Sequence, residues 1–350
     1  MGNETMLVAV VAGFIIMLII VAVIFNYSFR SNVTNYEDCL RAGYAVINSN
    51  PPRCRTPDGK LFVAPTLNRK YLPYGDYYFT INYQEMNRSF WLHIPKSYKG
   101  QSMPLVIMLH GGMSDGSSFA NMTRMNELAD NSDFIVAYPE GTGVMKGIFL
   151  SWNSGRCCGY AQQNEIDDVG FLISLINTMV ENYSVNKDKV FIAGFSNGGM
   201  LAYRAGCEIS DMISGIAVVS GALVVDNCEP KKPISVIAFH GTNDENLPYG
   251  GGVGNKSIDK VYVPSTENIM QFWAAENNCS INQKISMSAE HVEKREYLNC
   301  SGNVEVVLYK IEGGGHAWPG GEKSLIMGDE PTEEIDASET IAKFFMNKSG

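Results

Sequence analysis

The chain has 350 residues, of which 45% are apolar, 18% charged and 11% aromatic. That composition fills the core of one large or two modest globular domains, and it excludes a disordered tail, a collagen or a coiled coil. Lys plus Arg number 27 against 37 Asp plus Glu, a formal net charge of −10 with no basic cluster, which excludes nucleic acid as a partner.

Taken in chain order, residues 1–30 read as a membrane anchor. Leu7 to Phe25, LVAVVAGFIIMLIIVAVIF, carries no charge. At about 1.5 Å per residue it nearly spans a hydrocarbon core of about 30 Å. The start, MGNET, has no Lys or Arg, and no A-x-A cleavage site follows, so an uncleaved anchor is favoured over a signal peptide. Secretion after cleavage is the alternative. Arg30 and Arg41 on the C-terminal side of the run point weakly to a cytoplasmic domain. Eight cysteines, an even number in patterned places, point to an oxidising compartment instead. We weigh the cysteines above two arginines and expect a single-pass protein of the cell membrane, with the domain that follows the anchor extracytoplasmic.

Residues 31–70 read as a polar linker and a small module. Cys39 and Cys54 bracket a helix-like stretch and two prolines, and a Pro-Asp-Gly turn follows. Closing such a loop stabilises by about 3 kcal/mol in the chain-entropy model. The expected role is a stapled spacer rather than an interaction surface.

Residues 75–350 alternate strands with helices. Expected strands are Tyr77–Tyr83 and Ser89–His93 as a hairpin, then Leu105–Leu109, Phe134–Ala137, Val190–Ala193, Ile216–Val219, Ile234–Phe239 and Val304–Tyr309. Expected helices are Asp168–Tyr183, with Phe171, Leu172, Leu175 and Met179 on one stripe, Gly198–Cys207, Thr266–Glu276 and Ala337–Met346. This alternation implies an α/β fold: a mostly parallel sheet covered by helices on both faces.

Within that domain Gly194-Phe195-Ser196-Asn197-Gly198 fits G-x-S-x-G, after the apolar strand KVFIAG and before a helix. This strand–turn–helix setting is the one an α/β-hydrolase nucleophile requires. Tight packing around the turn leaves no room for a Cβ at the flanking glycines. The helix N-terminus behind it aims backbone N–H groups at a forming oxyanion. The serine needs a base, and there are five histidines: His93, His110, His240, His291 and His316. In this fold the order is Ser, acid, His. His291 sits in the charged stretch HVEKRE and His240 ends a strand. His316 follows Gly313-Gly314-Gly315 on a loop after the last strand, and it is the expected base. Asp244, in HGTND after Ile234–Phe239, is the expected acid, with Glu245 as competitor. His110-Gly111-Gly112-Met113 follows LVIML, so the N–H groups of Gly112 and Asn197 are the expected oxyanion hole, with His110 structural.

Cys279 and Cys300 are expected to pair, Cys207 and Cys228 are a second plausible pair, and adjacent Cys157 and Cys158 bond elsewhere or to each other. No C-x-x-C or H-E-x-x-H is present, so no metal is expected. Gly250 to Ser257 suggests a phosphate loop, but Asn255 interrupts the Gly-Lys pair, and a loop at the cleft mouth is the preferred reading. Trp152, Tyr249 and Trp318 are candidate cleft aromatics for a sugar or phenolic ring.

The set LHGG, SWNSGRCCGYAQQNEIDDVGFL, GFSNGGM, HGTND with LPYGGG, and GGGHAWPGG, in that order from about Tyr77 to the C-terminus, resembles secreted polyhydroxybutyrate depolymerases, feruloyl esterases and acetyl xylan esterases. The resemblance implies a serine esterase without metal or cofactor, acting on polymer-linked or aryl esters, with Ser196, Asp244 and His316 as triad. It also implies a structural role for Asp168 near the active-site floor. HGGM departs from relatives that carry a cysteine or further glycine there. Rival readings are a prolyl-oligopeptidase-like peptidase, against which the absence of a propeller-sized N-terminal domain counts, and a non-catalytic surface-binding protein.

Overall fold

The computed structural model describes residue 39 and residues 45–47, 53–56, 60–63, 72–145, 147–280, 282–324 and 328–347. The apolar run 7–25 read as an anchor lies outside the described residues. Among the described residues no helix is long and apolar enough to cross a membrane. The chain divides into two compact units, Met1–Leu67 and Asn68–Gly350.

In the first unit β1 (Ala45–Ile47), β2 (Arg53–Arg55) and β3 (Leu61–Val63) form an antiparallel sheet. Cys39 bonds Cys54, and both are fully buried. Cys39, where the helix-like stretch was expected to begin, is helical; residues 40–44 lie outside the described residues, and β1 follows, paired to β2.

The second unit is built on a ten-stranded sheet. Its strands are β4 (Gly75–Tyr83), β5 (Met86–Ile94), β6 (Met103–Leu109), β7 (Ile135–Pro139), β8 (Val185–Phe195), β9 (Gly215–Val219) and β10 (Ser235–Gly241), together with three strands past a two-stranded ribbon. The ribbon is β11 (Gly252–Val253) with β12 (Tyr262–Val263), and the last strands are β13 (Gln283–Ala289), β14 (Val292–Tyr297) and β15 (Val306–Ile311). The order is β13-β14-β15-β10-β9-β8-β6-β7-β5-β4. The six strands from β15 to β7 run parallel, and an antiparallel hairpin closes each edge.

The helices are α1 (Gly116–Thr123), α2 (Met125–Ser132), α3 (Gly159–Gln163), α4 (Asp168–Asn182), α5 (Asn197–Glu208), α6 (Thr266–Glu276) and α7 (Ala337–Asn347). Side chains alternate across the sheet, so each central strand buries both faces. Val106, Met108, Phe191, Ala193, Val219 and Ile237 pack on one face with α1, α2 and α7. Ile216 points the other way, under α5, where a Cβ on Gly206 would sit 3.1 Å from its Cδ1. On α4 the expected stripe of Phe171, Leu172, Leu175 and Met179 is buried.

Two features depart from the sequence expectation. The charged excursion before the last strand is the hairpin β13–β14; QKISMSA alternates polar and apolar residues at strand period but leaves Ile285 and Met287 exposed. The stretch after HGGM also forms two short helices, α1 and α2, separated by Arg124 at φ +52°. Asp115 caps the first by accepting from the Ser118 N–H at 2.9 Å.

Candidate active site

Parallel strands place their C-terminal ends on one edge of the sheet, and the functional loops gather there. Gly112 follows β6, Ser196 follows β8, Asp244 follows β10 and His316 follows β15. Ser196 stands at φ +52°, ψ −118°, a conformation that L residues rarely adopt. The turn is held from both sides. The Ser196 N–H donates to the Val219 carbonyl at 2.9 Å, and the Ser196 carbonyl accepts from the Met200 N–H at 2.9 Å. A Cβ on Gly194 would collide with the Gly198 carbonyl, and one on Gly198 with the Leu109 carbonyl, so only glycine fits either flank.

The three side chains expected from the sequence lie in one hydrogen-bonded line. Ser196 Oγ is 2.9 Å from His316 Nε2, and His316 Nδ1 is 2.7 Å from Asp244 Oδ2. The second carboxylate oxygen of Asp244 accepts backbone N–H groups from Asn246 at 2.9 Å and Leu247 at 2.8 Å. Burial of Asp244 resists its ionisation more than any other single influence does. The charge and hydrogen bonds of His316 and His240 together outweigh it, and they hold the carboxyl well below the ordinary carboxylate range. Glu245, the competing acid, instead points to Lys256 at 2.6 Å and is exposed. The His316 loop is strapped in turn: its N–H donates to Asp329 Oδ2 at 2.8 Å, and its carbonyl accepts the Asp329 N–H at 3.0 Å.

The other histidines are engaged elsewhere. His110 is fully buried; its Nδ1–H donates to the Gly111 carbonyl at 2.8 Å and its Nε2 accepts from the Gly141 N–H at 3.0 Å. Burial pushes its pKa down to about 4, so the ring is neutral. His240 is held between the Leu247 carbonyl at 2.7 Å and Thr266 Oγ1 at 2.9 Å. His291 is exposed and pairs with Glu334 at 2.6 Å, and His93 lies between Asp76 and Asp130.

A cleft of about 270 Å3 opens over Ser196 and His316, and Gly112 and Asn197 line it. A Cβ on Gly112 would come 3.7 Å from the Cβ of Asn197, so these two residues sit side by side. Asn197 opens α5, where the first N–H groups have no intrahelical acceptor. The N–H of Met113 is engaged by the Leu150 carbonyl at 2.7 Å.

The candidate substrate-binding aromatics are corrected by the structure: none of them lines the cleft. Trp152 is fully buried, donates its indole N–H to the His110 carbonyl at 2.9 Å and packs its ring on His110. Trp318 is 1% exposed, donates to Ser338 Oγ at 2.9 Å and packs edge-on against Phe119. Tyr249 donates its hydroxyl to Glu267 at 2.8 Å and faces His240. Their polar atoms bond to protein groups; the Trp152 and Trp318 rings are core, and Tyr249 is partly buried.

The cleft wall comes instead from residues the sequence reading passed over: Met113, Phe149, Leu150, Met200 and the bonded pair Cys157–Cys158. Of these only the cysteines carried a signal, their adjacency in GRCCG. The loop after Gly250 reaches the cleft through Ser257, Ile258 and Asp259, at the mouth as expected. The remaining pairs are Cys207–Cys228 and Cys279–Cys300. Asp168 lies below the floor, ion-paired to Arg88 at 2.7 Å and accepting the Asn153 N–H at 2.7 Å.

A mostly parallel sheet with a serine at its central turn and an Asp–His–Ser line across its C-terminal edge defines an esterase-type α/β fold. Residues 88–241 match the model of the family described as Esterase PHB depolymerase. Feruloyl esterase B of Piromyces equi is 31% identical over 230 residues, covering 64% of this chain and 41% of that protein. Putative esterase NocK of Nocardia uniformis subsp. tsuyamanensis is 27% identical over 237 residues, 63% of this chain and 67% of its own length. The chain thus spans about two fifths of the Piromyces protein. Among solved structures, acetyl xylan esterase from Aspergillus awamori superposes with a TM-score of 0.53 at 14% identity, covering 77% of this chain and 98% of that one, a likeness of fold.

Proposed function

We propose that the protein is a serine esterase that hydrolyses carboxylic esters through an acyl-enzyme on Ser196. The observation that carries this reading is the unbroken line from Asp244 through His316 to Ser196, ending in an open cleft beside Gly112 and Asn197. His316 Nε2 takes the hydroxyl proton as Ser196 Oγ attacks the ester carbonyl. The Nδ1–H bond to Asp244 fixes the imidazole tautomer and stabilises the imidazolium that forms. The carbonyl oxygen gains negative charge and turns toward the N–H groups of Gly112 and Asn197; losing one such donor typically costs about 10²–10³ in turnover. The imidazolium then protonates the departing alcohol. Water, deprotonated by the same ring, attacks the acyl carbonyl and frees Ser196.

The relatives named feruloyl esterase and acetylxylan esterase support an ester of a polysaccharide or an aryl acid, and the family description supports a polyester such as polyhydroxybutyrate. The apolar wall of the cleft suits the less polar half of any of these. We place the catalytic unit outside the cytoplasm on an anchor formed by residues 7–25. The uncharged run and the cysteine pairing support that placement. Protease added to intact cells should degrade the catalytic unit, and protection of it would reverse the orientation.

The activity is tested by labelling with a fluorophosphonate and by hydrolysis of p-nitrophenyl butyrate. Wild type should react in both assays and Ser196→Ala in neither. A wild-type protein that is folded yet inert to both reagents would refute the reading.

A further inference from the structure

Adjacent cysteines bonded to each other make an unusual wall for a cleft. Cys157 and Cys158 both line the cavity over Ser196, and the other two disulfides of this unit do not. Neither residue is more than 9% exposed, so the pair is set into the surface rather than standing on it. Its sulfurs are bonded to each other, so it presents no S–H donor and no freely rotating side chain. The surface it offers is apolar and polarizable, and Met200 extends it, with Sδ 3.8 Å from Cys158 Sγ.

The same turn is tied to the residue next to the nucleophile. The Cys157 carbonyl accepts from the Ser154 N–H at 2.6 Å and from its hydroxyl at 2.7 Å, while the Cys158 N–H donates to the Trp152 carbonyl at 3.1 Å. The Asn197 side-chain amide donates to that same Trp152 carbonyl at 3.0 Å and to Ser154 Oγ at 3.3 Å, and its carbonyl accepts the Trp152 N–H at 2.7 Å. The sulfur wall and Ser196 are therefore referenced to one set of anchors. On the far side the Gly159 N–H donates to Asp259 at 3.1 Å, and Arg156 N–H donates to the Val224 carbonyl at 3.0 Å. A wall fixed in this way orders nothing when a ligand arrives, so apolar contact with it converts to affinity with little entropic loss.

We propose that the Cys157–Cys158 disulfide is a substrate-positioning wall that holds the apolar part of the ester at a set distance from Ser196. The proposal rests on the esterase reading above and assigns no step of proton or acyl transfer to the sulfurs. Binding energy supplied in this way acts on the ground state and the transition state alike, so its loss raises KM and spares kcat.

The test compares wild type with Cys157→Ala/Cys158→Ala and Cys157→Ser/Cys158→Ser, using p-nitrophenyl butyrate and fluorophosphonate labelling of each. The alanine pair should raise KM roughly tenfold, of the order seen for lost apolar contacts in a pocket, with kcat within about twofold. The serine pair, which puts two hydroxyls on the wall, should raise KM further. Both should label at Ser196 at the wild-type rate with saturating reagent. Unchanged KM, a fall in kcat at constant KM, or loss of labelling in both pairs while wild type labels would each overturn the proposal. A wild type that neither labels nor hydrolyses would instead strike the esterase reading itself.

Discussion

Asp244 and Asp168 have side chains with no exposure to solvent, each faces a cationic or cationisable partner at 2.7 Å, and each accepts backbone N–H groups. Their surroundings set them apart. Two imidazoles flank Asp244, at 2.7 and 3.4 Å, and its carboxyl is held well below the ordinary range despite the cost of burial. Asp168 faces the permanently charged Arg88, and there burial wins and pushes the carboxyl up. In the proposed mechanism the partner of Asp244 exchanges a proton with Ser196, whereas Arg88 takes no part and Asp168 accepts the Asn153 N–H. On that proposal one motif, a buried carboxylate with a cation, serves reaction in one place and rigidity in the other.

The largest effect expected is on the reacting side. Ser196→Ala should lower ester turnover by about 10⁵–10⁶, read as burst-free hydrolysis of p-nitrophenyl butyrate, with the circular dichroism spectrum unchanged. Asp244→Asn should follow, with kcat down about 10⁴, because the amide leaves the geometry in place but favours the wrong tautomer of His316. If that variant kept more than a tenth of wild-type kcat, Asp244 would be no more than a second Asp168. On the rigid side the sign of the readout changes. Arg88→Ala leaves a buried carboxylate without its cation and should cost about 3–5 kcal/mol in urea unfolding, while the molecules that remain folded label at Ser196 normally. A fall in kcat per labelled site without loss of stability would place Arg88 in the chemistry.

The Ser196, Asp244 and His316 loops were legible in the sequence; of the rigid pair Asp168 was legible through the family resemblance, and its partner Arg88 was not. G-x-S-x-G, HGTND and GGGH announce themselves because a tight turn at a strand end demands glycine, whatever the rest of the chain does. The order Ser, acid, His then removes His110 and leaves few combinations. The partnership of Arg88 with Asp168 joins β5 to α4 across 80 residues, and no local pattern marks it. The cleft wall failed for a related reason. Aromatic residues suit rings, but Trp152 and Trp318 are large, and filling the layer between sheet and loops accounts for both. Met113, Phe149 and Leu150 sit in irregular loops, where apolar residues have no period to reveal their direction. The α1–α2 pair was hidden by its shortness, and β13–β14 by its charged outer face, which resembled solvent-exposed loop.

Glu140 extends the comparison to a carboxylate with no cation paired to it among the described residues, and its expected effect is the smallest. Its two oxygens accept from the Trp91 indole at 3.1 Å and the Gly116 N–H at 3.0 Å. Burial, aided by the charge of Asp115, pushes the group from 4.5 up to about 7 against these two hydrogen bonds. A raised folded-state value means the native protein holds a proton that the unfolded chain has released between about pH 4.5 and 7. Its contribution to stability is therefore complete below that window and declines as pH rises through it. Asp244, held low, has the opposite sign: its contribution is present above the ordinary carboxylate range and is lost on acidification. Glu140→Gln removes the titration and keeps one acceptor. The variant should gain on wild type by about 1–2 kcal/mol between pH 5 and pH 8, a figure trimmed for the water that reaches this partly exposed side chain. Urea midpoints at the two pH values measure it, and an equal gap between the proteins at both would mean that Glu140 is ionised throughout and that its two donors, rather than burial, govern it.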